Sequence, residues 1–195
     1  MKPPDYPLVF AAWLFTTPRW SHLPPLAQAI YPTLIACCDA DGITLFNRDR
    51  LAVEAGMTMA GFKEGLIELE RCCFSFGTLA HRTHIILDDR WISKIRVKIF
   101  VPTHSLILHA SLFRRESGTP WPSLSLGARA VLPALAAQAD GRGWPTLDRV
   151  AELSGLENDT AQAAVNELVQ VKLAGERRGV GWVASSWPAD HVLEF

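Results

Sequence analysis

The stretch Asp148-Arg149-Val150-Ala151-Glu152-Leu153-Ser154-Gly155-Leu156 decides the fold, because the chain carries it twice. Asp49-Arg50-Leu51-Ala52-Val53-Glu54-Ala55-Gly56 stands 99 residues earlier. Asp41-Gly42 and Asp140-Gly141 keep the separation of 99, and so do Glu68-Leu69 and Glu167-Leu168. The apolar run Leu8-Val9-Phe10-Ala11-Ala12-Trp13-Leu14-Phe15 pairs with Leu106-Ile107-Leu108-His109-Ala110-Ser111-Leu112-Phe113, 98 residues on. Each run is followed by Pro and Trp, as Pro18 and Trp20, then Pro120 and Trp121. Such matches, in one order and at nearly one separation, favour duplication over chance. The boundary falls near Val101-Pro102-Thr103, giving units 1–102 and 103–195.

Within the second copy, Ser125 to Ala139 is rich in Ala and Leu and predicts a helix, with Pro133 marking a kink or early stop. Asp140-Gly141-Arg142-Gly143 turns the chain, and Trp144-Pro145 reads as a short extended piece. Thr146 suits the N-cap of a helix from Leu147 to Ser154, which Gly155 ends in a left-handed cap. Asn158 or Asp159 is expected to cap a third helix reaching about Val171. Its apolar positions Ala161, Ala164, Val165, Leu168 and Val169 make one stripe. Ala174 to Arg178 and Trp182 to Ser185 then flank a Gly turn as a β-hairpin.

The first copy predicts the same order. Its helices are Ala27 to Cys38 with Pro32 as a flaw, Arg48 to Ala55 capped by Asn47, and one opened by Thr58 that runs to about Cys72. Gly61 and Gly65 are expected to weaken the last by about 1 kcal/mol each relative to Ala. Leu79 to Leu87 and Arg90 to Phe100, turning at Asp88-Asp89, are the expected hairpin. The fold class is therefore α+β, mainly α: two tandem winged helix-turn-helix domains related by internal duplication.

Followed by a capped helix, the 148–156 segment resembles the helix-turn-helix of bacterial winged-helix regulators and of plasmid or phage replication proteins. Asp49 to Met57 resembles it less fully. The resemblance implies that the second helix of each pair lies in a DNA major groove with its N-terminal residues at base edges. Those positions are Thr58, Met59, Gly61, Phe62 and Lys63, and Glu157, Asn158, Thr160, Ala161 and Gln162. Asn158 and Gln162 have the chemistry for bidentate contacts to adenine, whereas Glu157 and Asp159 repel phosphate.

The charge balance is nearly neutral, with 19 Lys and Arg against 20 Asp and Glu, which counts mildly against a phosphate-binding protein. Residues 1–102 carry 11 cations against 10 anions and the remainder 8 against 10, so the first copy is the more basic. Five of its cations lie from Arg82 to Lys98. In a strand Lys94-Ile95-Arg96-Val97-Lys98-Ile99, alternation places Lys94, Arg96 and Lys98 on one face, a candidate phosphate stripe or an ordinary solvated strand face. Arg177 and Arg178 sit at the second hairpin turn, where a wing touches DNA. Arg50 and Arg149 are equivalent positions suited either to a phosphate contact or to a surface ion pair with the Asp that precedes each.

Catalytic chemistry is not evident. The sequence has no P-loop, no dinucleotide-binding glycine pattern and no His-Glu-x-x-His. Cys37-Cys38 and Cys72-Cys73 are adjacent pairs, poorly spaced for zinc and expected to be buried thiols in a reducing compartment. His81 and His84 face opposite ways in a predicted strand, and His104 and His109 lack a carboxylate partner in sequence. Leu8 to Phe15 is too short to span a bilayer and lacks signal-peptide flanks, so a cytoplasmic protein with no membrane contact and no cofactor is expected.

Two readings compete. One is a double-stranded DNA-binding regulator or replication factor, and it is favoured. The other is a tandem winged-helix scaffold for protein partners. It is similar in charge to accessory subunits of bacterial condensin-type complexes and the ESCRT machinery, and seven Trp fit it. A mixed arrangement, in which one copy binds DNA and the other forms a homodimer, is the third.

Overall fold

A computed structural model describes residues 7–11, 13–38, 43–72, 75–78, 85–87, 105–115, 118–138, 145–177 and 181–184. The chain opens with strand β1 (Pro7–Ala11), the short helices α1 (Trp13–Thr16) and α2 (Pro18–Ser21), and then α3 (Pro25–Ala36). Pro25 occupies the first turn of α3, where a missing N–H leaves no hydrogen bond unmade. From Ala27 to Ala36 every residue of α3 is buried, so this helix runs through the core rather than along its surface. Cys38 then bridges Thr44 in antiparallel fashion, the short extended link before the next helix.

Helix α4 (Arg48–Glu54) begins where the Asn47 side chain accepts a hydrogen bond from the Arg50 N–H at 2.9 Å. Helix α5 (Met59–Arg71) begins where Thr58 Oγ1 accepts from the Gly61 N–H at 3.2 Å. Phe62, Gly65 and Leu69 form its buried stripe. An antiparallel ribbon follows, β2 (Ser75–Thr78) paired with β3 (Ile85–Leu87). Strand β4 (Ser105–His109), a 3-10 turn at Ala110–Phe113 and a second at Trp121–Ser123 lead into α6 (Leu126–Gln138).

The order of α3, α4 and α5 then recurs. Helix α6 contains Pro133 and is buried along most of its length. Thr146 caps α7 (Leu147–Ser154), accepting from the Arg149 N–H, and Gly155 closes it at φ +73°. Ala161, Ala164, Val165 and Leu168 bury one face of α8 (Asn158–Gln170). The ribbon β5 (Ala174–Arg177) and β6 (Gly181–Ala184) follows, with Ala174 opposite Ala184 and Arg177 opposite Gly181.

Several expectations need correction. Helix α3 starts two residues before Ala27 and ends before Cys37. Neither Asn158 nor Asp159 caps α8; both lie inside it, and the N-cap is Glu157, which makes no side-chain capping bond. In the first ribbon Ile85–Leu87 pairs with Ser75–Thr78, a strand the sequence reading did not include, and it leaves α5 as directly as β5 leaves α8. The proposed strand 90–100 lies outside the described residues.

One core runs through both halves. Strand β1 pairs antiparallel with β4, with Val9 opposite Ile107. Helix α3 packs against α6, α1 against α6 and α2 against α7. The fully buried Trp20 donates its indole N–H to the Ala130 carbonyl at 2.9 Å, and the fully buried Trp121 donates its own to Thr33 Oγ1 at 3.1 Å. Each indole also meets a phenylalanine edge-on at 4.8 Å between ring centres, Phe15 for Trp20 and Phe113 for Trp121.

Candidate nucleic-acid interface

Helices α7 and α8 are joined by a three-residue turn. The left-handed Gly155 lets its own N–H and that of Leu156 converge on the Ala151 carbonyl, at 2.9 and 3.1 Å. In the first half, Gly56 stands at φ +63°, and the Met57 N–H reaches the Ala52 carbonyl at 2.9 Å. A left-handed backbone is not the only constraint at these two glycines. A Cβ on Gly155 would collide with the Ser21 carbonyl, and one on Gly56 with the Pro122 carbonyl.

Both turns present the first turn of the following helix to solvent. On α8, Asn158, Asp159 and Thr160 are exposed, Gln162 is half-buried and Ala161 is buried. On α5, Thr58, Ala60 and Lys63 are exposed, Met59 and Gly61 are half-buried, and Phe62 is buried. The resemblance had placed Phe62 and Ala161 at base edges; they anchor the helices to the core instead. Asn158 Nδ2 donates to Asp148 Oδ1 at 2.8 Å, and Gln162 Nε2 to Asn166 Oδ1 at 2.8 Å. Both bonds are exposed, so either amide can exchange its partner for a base edge at small cost.

Arg50 and Arg149 do not pair with the preceding aspartates. Arg50 Nε reaches Glu54 Oε1 at 2.9 Å, one turn along α4, and its guanidinium lies 5.8 Å from the Phe46 ring centre. Arg149 reaches Glu152 at 2.7 Å. On a helix, positions three or four apart face each other and adjacent ones do not, which is why Asp49 and Asp148 are passed over. Arg177 ends strand β5 next to the turn of its ribbon. Lys94, Arg96, Lys98, Arg82 and Arg178 lie outside the described residues.

Sequence reasoning missed the residues that hold the two helix-turn-helix segments in place. Gln28 Nε2 donates to the Ser154 carbonyl at the end of α7, at 3.0 Å, and to the Trp20 carbonyl at 2.8 Å. Arg129 donates to the Ala55 carbonyl at the end of α4 and to that of Pro122, both at 2.6 Å, and to that of Leu124 at 3.0 Å. Burial pulls the Arg129 guanidinium down to about 10, with Glu167 acting in the opposite direction, so it stays cationic at neutral pH. The available signal was a polar side chain inside an otherwise apolar helix, four residues before a proline, in both copies: Gln28 before Pro32, Arg129 before Pro133. Cys37 and Cys38 are buried and Cys72 is half-buried. Burial, then the nearby Glu54, pushes the Cys37 thiol up to about 12, which suits neither a nucleophile nor a metal ligand.

A capped helix closed by a left-handed glycine, then a second helix with its first turn exposed, is the helix-turn-helix arrangement. In agreement, the helix-turn-helix domain family matches residues 122–173, the span holding α6, α7 and α8. No curated protein and no solved structure matches the chain. Among the described residues, no helix is long and apolar enough to cross a membrane.

Proposed function

We propose that this chain is a duplex-DNA-binding protein, a transcriptional regulator or a replication or maintenance factor, and not an enzyme. Its units are 1–102 and 103–195, two winged helix-turn-helix domains that arose by duplication. The observation that carries the reading is the pair of solvent-exposed first turns, on α5 and α8, each delivered by a glycine turn from a preceding capped helix. The family match over 122–173 supports the same reading for the second unit. Arg50, Thr58 and Lys63 in one unit, and Arg149, Asn158, Thr160 and Gln162 in the other, are the contacting residues. Arg177, Arg178, Arg82 and the stripe Lys94, Arg96 and Lys98 supply the wings.

The test is duplex binding across a salt series. Affinity is expected to fall with salt at a slope near −0.9 per phosphate contacted. The triple change of Lys94, Arg96 and Lys98 to Ala should make that slope shallower. Absence of binding at low salt removes the reading, and an unchanged slope removes the stripe.

A second reading has one observation in its favour. Helix α8 opens on Glu157 and Asp159 and carries no Lys or Arg along its length, and Arg149 is committed to Glu152. A surface of this kind suits a tandem winged-helix scaffold for a protein partner. Persistence of binding to a protein ligand at high salt, with no duplex retained at low salt, would support it.

A further inference from the structure

The contacts between the two halves are reciprocal. Gly56 meets Pro122, and Gly155 meets Ser21. Gly56 and Gly155 are equivalent positions 99 apart, and Ser21 and Pro122 are equivalents 101 apart, each following its Trp. Gln28 holds the carbonyl of Ser154, and Arg129 holds that of Ala55. Here too the donors are equivalents and the acceptors are equivalents. Trp20 bonds to α6 and Trp121 bonds to α3. In β1 and β4, Val9 lies opposite Ile107, its own equivalent 98 residues on; Leu8 then faces Leu108, and Phe10 faces Leu106.

When patch A of one unit meets patch B of the other, and B meets A in return, the arrangement is isologous, the mark of a two-fold axis. The axis passes through the Val9 and Ile107 pair. Side chains from one half grip the end of the second helix in the other, immediately before each turn. The same axis therefore relates α5 to α8, and both are fixed to one rigid core. Residue identities differ at many equivalent positions, Gln28 with Arg129 and Ser21 with Pro122 among them, and they differ also at the two exposed helix starts. Phe62 and Ala161 are equivalent and both buried, yet none of the neighbouring solvent-facing pairs matches: Thr58 with Glu157, Ala60 with Asp159, Lys63 with Gln162.

We infer that one chain is a covalently closed counterpart of a symmetric dimer, and that its ligand is a duplex carrying two inverted half-sites of unlike sequence. The inference rests on the duplex-DNA reading and specifies its substrate. A two-fold reader matches a duplex only about the duplex's own dyad, so the half-sites face each other. They lie about one helical turn, or a multiple of it, apart. Their sequences differ because the two exposed helix starts differ. No second chain is needed to complete the pair.

Selection from a random duplex library with the full chain tests this, followed by sedimentation of the complex with a selected duplex. The expected result is two unlike half-sites in inverted orientation, one chain per duplex, and a loss of about tenfold or more in affinity when one half-site is reversed in place. Lys63→Ala should relax preference in one half-site and Gln162→Ala in the other. Directly repeated half-sites, a single half-site, or two chains per duplex overturn the inference and leave duplex binding standing. Retention of no duplex at low salt removes the functional reading and this inference together.

Discussion

At the scale of single residues, the least expected feature is a buried cation with carbonyls for company. Arg129 is 3% exposed and spends its guanidinium on three backbone oxygens, one of them at the C-terminal end of α4. That end carries partial negative charge, which suits a guanidinium. Because burial depresses the folded-state pKa to about 10, holding the charge costs stability at neutral pH, and the cost is relieved only above that value. The three hydrogen bonds offset it. Arg129→Met removes the donors and leaves those carbonyls in a dry site, where an unmet polar group costs about 1–3 kcal/mol. A total loss of about 3–5 kcal/mol is expected in urea unfolding. Arg149→Ala, which breaks an exposed ion pair with Glu152, is the reference and should cost about 0–1 kcal/mol. Comparable losses for the two variants would refute the anchoring role given to Arg129.

At the scale of elements, two glycines on α5 show what sequence alone conceals. Intrinsic propensity treats Gly61 and Gly65 alike, each about 1 kcal/mol worse than Ala. Packing separates them. A Cβ at Gly61 would find its nearest atom at 3.5 Å, ordinary contact, whereas at Gly65 it would stand 2.9 Å from Ile30 Cδ1 and 3.0 Å from the Leu26 carbonyl. Gly61→Ala should stabilise by about 0.5–1 kcal/mol. Gly65→Ala should destabilise by about 1–3 kcal/mol, because it forces α5 away from α3. Thermal midpoints moving the same way for both would show that the helices repack freely. The local grammar of the fold was legible: Asn47, Thr58 and Thr146 cap their helices, and Gly155 adopts its left-handed turn, because each depends on residues within one turn. Strand Ser75–Thr78 was missed because the alternation in Lys94–Ile99 is the stronger strand signal. The repeat itself held the correction, since Ser75 and Ala174 stand 99 apart, each four residues beyond its helix. Of the candidate site, the exposed helix starts were legible. The hold of Gln28 and Arg129 on them was not, since those bonds join residues far apart in the chain.

At the scale of the whole molecule, the question is whether the two halves are separable bodies. A boundary near residue 102 is natural from the repeat, but the contacts cross it everywhere the core is deepest. Trp20 and Trp121 are fully buried, and each donates its indole N–H to an acceptor in the opposite half. Cutting the chain would strip β1 of β4 and leave the Ala55 and Ser154 carbonyls without Arg129 and Gln28. It would also uncover both indoles, and large aromatic side chains dominate the energetics of cores of this size. Each half would lose the hydrogen bond that its neighbour makes to the end of its second helix, at Ala55 or Ser154. The intact chain should therefore unfold in one transition, with calorimetric and van't Hoff enthalpies that agree. Residues 1–102 and 103–195 expressed separately should each lack native tertiary signals and regain them on mixing. Two resolved transitions, or one half that folds alone with its tryptophan buried, would contradict this. On the duplex-binding proposal, cooperativity of this kind would tie α5 and α8 together: a duplex engaging α8 would stabilise the frame that holds α5, so occupying one half-site would favour the other without any second chain.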